Sequence, residues 1–334
     1  MAGAALQRKG DNMFRIGILG AADIAYNKFL PALEKTEGAE CAGVASNSKK
    51  KLERFKEKYN LHVYSSYDEV INDESVDCVY IPLPPAFHYE WAKKALLAGK
   101  HVFLEKPSTT SSAYTRELVG LAAERGLTIQ ENYMFRYHAQ LEKIKKIVAE
   151  GRIGKLRLIR TSFGFPRRAE GDFRYNKELG GGTMMDNGGY TIKLITELLG
   201  ESTRYVSSKL DYEEPAGIDI FGTAEFVNDE GVIAQAAFGM DCQYQCSLEL
   251  WGSKGRLTTG RIYTAPAEYV PTAVIESGAD TITVQLPADD HFAKSIGMFL
   301  KAVGDEKIRK EMADGLVRQA ELVEAVIMQG KDGE

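Results

Sequence analysis

Hydrophobic and polar positions follow two different rhythms along this chain. Between residues 14 and 130, short apolar runs at 14–20, 41–45, 76–81, 101–104 and 128–130 alternate with amphipathic stretches at 23–36, 49–59, 88–98 and 112–124. The short runs are too brief for helices and end near Gly, Ser or Pro, which suits buried strands. The longer stretches space apolar residues helically, as with Ile24, Phe29, Leu30 and Leu33. Strands alternating with helices predict a parallel sheet with crossover helices. From about residue 151 the period becomes two. Segments 156–163, 224–227, 232–238, 245–251, 255–259 and 280–284 alternate apolar with polar residues and are joined by Asn, Asp and Gly turns. They predict an open-faced, mostly antiparallel sheet. Helices over 291–304 and 307–329 complete the pattern. The expected fold class is therefore α/β followed by α+β. Residues 1–12 form a flexible extension, 13–131 the first domain and 132–334 the second.

A length of 334 residues fits two domains. A net charge of −5 without a basic block argues against nucleic acid as partner. The sequence has no apolar run long enough for a membrane helix and no signal-peptide core. Cys41 and Cys78 read as small core residues. Cys242 and Cys246 read as one face of a strand, with no His or Cys cluster to complete a zinc set. No metal and a cytoplasmic setting are expected.

The candidate chemistry lies at strand ends. Glu105-Lys106-Pro107 follows the run 101–104. Proline stiffens the turn, so Lys106 is held at a place where open α/β sheets bind ligands. Gly20-Ala21-Ala22-Asp23-Ile24-Ala25 stands where a G-x-G-x-x-G turn belongs, with two glycines replaced by alanine. Gly20 permits the tight turn, and the helix start offers amides to a pyrophosphate. A Rossmann dinucleotide-binding domain follows. The second run ends in Ser46-Asn47-Ser48 and three lysines rather than a carboxylate. That favours NADP over NAD. Pro82-Leu83-Pro84 and His88 follow the third run and flank the cofactor, His88 either by contact or by a structural role. Arg136, after Tyr133, is a further candidate cofactor contact. The run Gly180-Gly181-Gly182 allows close approach to a ligand and precedes a helix on which Asp186 and Tyr190, four apart, share a face. That carboxylate and phenol, near Lys106, would make a catalytic proton relay, with the lysine ammonium favouring the Tyr190 phenolate. Arg174 and Tyr133 are candidate substrate contacts. Arg167 and Arg168 are a pair that meets either a diphosphate or only solvent.

Taken in order, the Gly20 to Ala25 turn, Glu105-Lys106-Pro107, Phe135-Arg136-Tyr137-His138 and the run from Gly180 to Asp186 and Tyr190 resemble the glucose–fructose oxidoreductase / inositol dehydrogenase / rhizopine catabolism (Gfo/Idh/MocA) family over roughly residues 14–330. The resemblance implies NAD(P)-dependent hydride transfer at a carbinol or ketone carbon of a sugar or sugar derivative. It also implies a homodimer or homotetramer built through the C-terminal sheet. Carried over by motif, Lys106 contacts the reacting oxygen and the nicotinamide ribose, Glu105 belongs to the same cofactor motif, and Asp186 binds substrate. Tyr190 stands where many members place a catalytic histidine. The turn Gly20 to Ala25, with Pro31-Ala32-Leu33 downstream, is most similar to nucleotide-sugar 3-ketoreductases. Dihydrodiol or xylose dehydrogenases, and a non-catalytic NAD(P)-sensing regulator, are the alternatives at this stage.

Overall fold

The structure, a computed structural model, describes residues 13–330. The expected extension, 1–12, lies outside the described residues. By internal contacts the chain forms two compact units.

Of the described residues, the first unit comprises 13–132 together with 292–318. Its strands are β1 (Phe14–Leu19), β2 (Ala39–Ala45), β3 (Cys78–Ile81), β4 (His101–Leu104) and β5 (Ile129–Glu131). They pair in parallel in the order β2-β1-β3-β4-β5. A single parallel bridge, Val44 to Val63, adds a vestigial strand beyond β2. With it, the spatial order matches the six-stranded dinucleotide-binding sheet, whose third strand is here one residue long. Helices α1 (Leu30–Leu33), α2 (Lys49–Tyr59), α3 (Tyr67–Asn72), α4 (His88–Leu97) and α5 (Ser112–Glu124) connect the strands. The turn entering α1 is π-helical over Ala25–Phe29, where the sequence pattern predicts a continuous helix. Phe29 in that turn stacks on Tyr80 of β3, with ring centroids 3.8 Å apart. β3 is buried throughout, as expected of a strand covered on both faces.

The second unit comprises residues 133–291 and 319–330. It begins with α6 (Ala139–Ala149), then β6 (Leu156–Gly164), a helix start at Met184–Gly188 leading into α7 (Gly189–Leu199), and β7 (Arg204–Glu213). There follow β8 (Ile218–Val227), β9 (Ile233–Gly239), β10 (Gln245–Gly252), β11 (Gly255–Gly260), β12 (Thr272–Ser277) and β13 (Asp280–Gln285). The sheet runs β13-β12-β11-β10-β6-β9-β8-β7, antiparallel except for the parallel pair β6–β9. Along β10, Cys246, Leu248 and Leu250 are buried while Trp251 is half-exposed, so one face is core and the other open.

The last helices are α8 (His291–Gly304) and α9 (Glu306–Gly330). The sequence pattern keeps both with the second domain, but residues 292–318 group with the first unit. Gln130 Nε2 donates to Ser295 Oγ at 2.8 Å, and Phe299 packs edge-on against Phe103 at 5.2 Å. Cys242 also departs from expectation. It lies in the turn before β10 rather than on the strand with Cys246. Among the described residues, no helix is long and apolar enough to cross a membrane.

Candidate active site

In the first unit the candidate cofactor residues follow directly on strand carboxyl ends. Gly20 follows β1, Ser46 follows β2, Pro82 follows β3 and Glu105 follows β4. This is the edge at which such sheets bind ligands. Gly20 has φ +117°, and a Cβ there would sit 2.8 Å from Leu83 Cδ2. The first and third strand-end turns therefore touch through a position only glycine fits. Ala21 is buried, Ala22 and Ile24 are half-buried, and exposed Asp23 pairs with Arg54 of α2. Arg54 also lies over the Tyr26 ring at 4.5 Å, so a guanidinium that the sequence reading did not single out stands at this turn. Ser46 Oγ accepts from Ser48 N at 3.2 Å, and Ser48 Oγ caps α2 by accepting from Lys51 N at 3.4 Å. Those bonds shape the turn and leave Asn47 and Lys49 to Lys51 exposed beside it. Hydroxyls, an amide and cations without a carboxylate fit a 2′-phosphate better than a ribose diol.

Lys106 is the one residue not buried in the stretch 102–109. Its neighbours are fixed from several sides. Glu105 Oε1 accepts from Tyr80 Oη at 2.7 Å and from Asn132 Nδ2 at 2.8 Å. Burial pushes the Glu105 carboxyl above its ordinary pKa, against those hydrogen bonds and the nearby Lys106 charge. Ser108 N donates to Glu131 Oε1 at 2.7 Å. The Lys106–Pro107 bond is cis. His88 is fully buried, with Nδ1 2.8 Å from the Pro107 carbonyl and Nε2 2.7 Å from the Leu83 carbonyl. Burial lowers its pKa against those two carbonyls. Expected as a flank of the cofactor, His88 proves to be a clamp between two strand-end turns. Both ring nitrogens face backbone, and none of the ring reaches solvent.

In the second unit, the helix start is π-helical over Met184–Gly188 before α7 begins. Asn187 Nδ2 donates to the carbonyls of Phe163, at 2.6 Å, and Gly239, at 2.8 Å. That docks the helix start on the carboxyl ends of the parallel pair β6–β9. Asp186 Oδ2 accepts from Arg174 Nε at 2.7 Å, and Arg174 Nη1 reaches Asp172 at 3.1 Å. Burial pulls the Arg174 pKa down, but the two carboxylates outweigh it and raise it. Two expected substrate contacts thus meet each other. Tyr190 sits among Tyr133, Phe135, Phe163 and Tyr263, with ring centroids 5.0 to 5.7 Å away. Its hydroxyl reaches Met134 Sδ at 3.7 Å. Tyr133 is fully buried, and a Cβ on Gly189 would lie 2.1 Å from its hydroxyl. Tyr133 therefore shapes the wall behind Tyr190. Arg136, an expected cofactor contact, is paired with Glu197 of α7 at 2.8 Å. Among the described residues, no group of three or more His, Cys, Asp or Glu could hold a metal ion.

Two family models match the chain. One describes an oxidoreductase family with an NAD-binding Rossmann fold and covers residues 14–133. The other is a GFO/IDH/MocA C-terminal domain and covers residues 141–258. A dTDP-3,4-didehydro-2,6-dideoxy-alpha-D-glucose 3-reductase from Actinomadura kijaniata is 38% identical over 321 residues, covering 96% of this chain and 97% of that protein. A reductase of the same name from Streptomyces violaceoruber is 39% identical over 322 residues, covering 93% and 94%. A solved 3-ketoreductase from A. kijaniata, in complex with NADP and TDP-benzene, aligns at a TM-score of 0.92 with 38% identity, covering 95% of this chain and 98% of that one. That 3-ketoreductase has also been solved with one tyrosine replaced by phenylalanine and with one lysine replaced by alanine, each with TDP-benzene and NADP.

Proposed function

Because the chain belongs to the Gfo/Idh/MocA family of oxidoreductases, we propose that it is an NADP-dependent reductase of a keto group on a nucleotide-linked sugar. The observation that carries the reading is Lys106, the one accessible side chain of an otherwise buried turn at the carboxyl end of β4. The relatives named 3-reductase support the substrate class. In the solved 3-ketoreductase, the replaced lysine and tyrosine stand as far apart in sequence as Lys106 and Tyr190 do here.

The cofactor would be held by Gly20, Ala21, Ala22, Asp23 and Ile24 on its pyrophosphate side, by Ser46, Asn47 and Ser48 on its 2′-phosphate side, and by the Pro82-Leu83-Pro84 turn. When bound, NADPH supplies the hydride that reduces the carbonyl carbon. Tyr190 gives its hydroxyl proton to the carbonyl oxygen. Lys106 donates a hydrogen bond to the same oxygen and stabilises the negative charge that develops there. Asp186, held by Arg174, accepts from a sugar hydroxyl. The aromatic rings around Tyr190 exclude water from the proton transfer. The open face of the second sheet, with Phe221, Ile233 and Trp251 exposed, is the surface through which a homodimer or homotetramer forms.

The test is NADPH oxidation with a thymidine-diphosphate-linked 3-keto-2,6-dideoxyhexose, alongside separate titrations with NADPH and NADH. Turnover with NADPH and weaker binding of NADH support the reading. Preference for NADH sinks the 2′-phosphate assignment, and turnover of free sugars alone sinks the nucleotide-linked substrate.

A further inference from the structure

Arg167 and Arg168 are adjacent in sequence and part ways in the structure. Arg167 forms a two-point ion pair with Glu213, with its closest contact at 2.5 Å, and lies 3.5 Å from Asp241. Arg168 has no carboxylate partner among the described residues. Its guanidinium lies 4.6 Å from the Phe165 ring centroid, and the residue lines a cavity of about 370 Å³ with Phe163, Phe165, Tyr244, Arg261 and Thr264. Arg261 likewise lacks a carboxylate partner among the described residues, and its guanidinium lies 5.8 and 5.6 Å from the ring centroids of Tyr244 and Tyr269.

The sheet explains why these residues meet. β6 and β10 are antiparallel, with Gly164 opposite Gln245, and β10 and β11 are antiparallel, with Ser247 opposite Gly260. The carboxyl end of β6, the amino end of β10 and the carboxyl end of β11 therefore share one edge. Asn187 docks the Asp186–Tyr190 helix start on that same edge. Phe163 lines the cavity and also packs on Tyr190 at 5.2 Å, so one ring joins the cavity to the proposed proton donor.

Resting on the nucleotide-linked reading above, we propose that this cavity holds the nucleoside diphosphate of the substrate, with Arg168 and Arg261 on the diphosphate and the aromatic walls against the base. Guanidinium groups recognise phosphate oxygens in two-point fashion, and stacking on rings orients them with their N–H edges free. Phe163, Phe165 and Tyr244 offer the aromatic faces on which a base stacks. Among the described residues no acidic side chain lines the cavity, and its volume falls in the range of small-molecule sites. Arg261 has φ +49°, a left-handed conformation unusual for a side chain of this length. Such local strain clusters at ligand sites.

The test is titration with thymidine diphosphate in the presence of saturating NADPH, on wild type, Arg168→Ala, Arg261→Gly and Arg167→Ala. Glycine at 261 suits the backbone, so loss of the guanidinium is separated from loss of fold. The expected result is a weakening of about tenfold or more for Arg168→Ala and for Arg261→Gly, the scale of a lost charged hydrogen bond. Arg167→Ala is expected to change affinity by less than about threefold, with NADPH affinity unaltered in all variants. Unchanged thymidine diphosphate affinity in both Arg168→Ala and Arg261→Gly overturns the site and leaves the substrate class standing. A wild-type protein that binds NADPH and no thymidine diphosphate overturns the nucleotide-linked reading and the site with it.

Discussion

The turn that carries Lys106 and the helix start that carries Tyr190 are built by different means. Around Lys106 the holding contacts are hydrogen bonds in a buried setting: Tyr80 and Asn132 to Glu105, Glu131 to the Ser108 amide, and His88 between two carbonyls. Around Tyr190 they are mostly shapes: four aromatic rings and glycines at 188 and 189 with no room for a Cβ, backed by the Asn187 hydrogen bonds and the Asp186–Arg174 ion pair. A site fixed by buried hydrogen bonds fails when an acceptor is removed, because the partners keep their desolvation cost. A site fixed by packing fails when an atom is added, because well-packed walls cannot yield. Each mode of failure can be provoked separately.

The largest effect is expected at the chemistry itself. Lys106→Ala is expected to lower kcat by about 10²–10³-fold, the usual worth of a donor to a developing oxyanion, with NADPH affinity within a few-fold of wild type. Steady-state kinetics beside a fluorescence titration check this, and a parallel loss of cofactor binding would assign Lys106 to binding instead. The two frameworks come next. Glu105→Ala strands the Tyr80 hydroxyl and the Asn132 amide, and about 1–3 kcal/mol of unfolding free energy is expected to be lost. Gly189→Ala drives a methyl into the Tyr133 hydroxyl, and about 1–3 kcal/mol is expected to be lost by overpacking. Glu105→Gln, which keeps an acceptor oxygen, is expected to recover most of the first loss, whereas no larger residue at 189 recovers the second. Denaturant midpoints decide both.

The smallest effects are pH-dependent and carry opposite signs. Burial raises the Glu105 pKa, so its ionised form costs stability above the folded-state pKa. That cost is relieved as pH falls through that value towards about 4.3, the ordinary glutamate pKa. Hydrogen bonds from Tyr64 and Ser75 lower the Asp73 pKa to about 2. Its contribution is present above about 3.9 and is lost as the pH falls towards the folded value. The melting-temperature advantage of wild type over Asp73→Asn is therefore expected to shrink on acidification, and that of wild type over Glu105→Gln to grow.

The same contrast separates what was legible in the sequence from what was not. Glu105, Lys106 and Pro107 are contiguous, so a strand and a stiff turn suffice to place them at a ligand edge. The alternation of Cys246, Leu248 and Leu250 likewise displays the buried face of β10. Sequence reading misses β7, because bulges at Tyr205–Ser207 and Asp211–Tyr212 break its alternation. It also misses the vestigial strand at Val63, one residue being too short for any period. Neither α6 nor the docking of α8 on the first unit registers as a long-range contact in a local pattern. Arg167 and Arg168 are equivalent in sequence, and only the fold shows which one Glu213 takes. Arg261 carries no motif, since its neighbours in the cavity come from strand ends far apart in the chain.

The central claim is that Lys106 and Tyr190 serve one proton transfer on one carbonyl oxygen. The most direct measurement is kcat for NADPH-dependent reduction of the thymidine-diphosphate-linked keto-sugar by wild type, Lys106→Ala, Tyr190→Phe and the double variant. Groups acting as a unit give non-additive losses. The double variant is expected to be about as slow as the slower single variant. Losses that multiply in the double variant would show two independent roles and contradict the account.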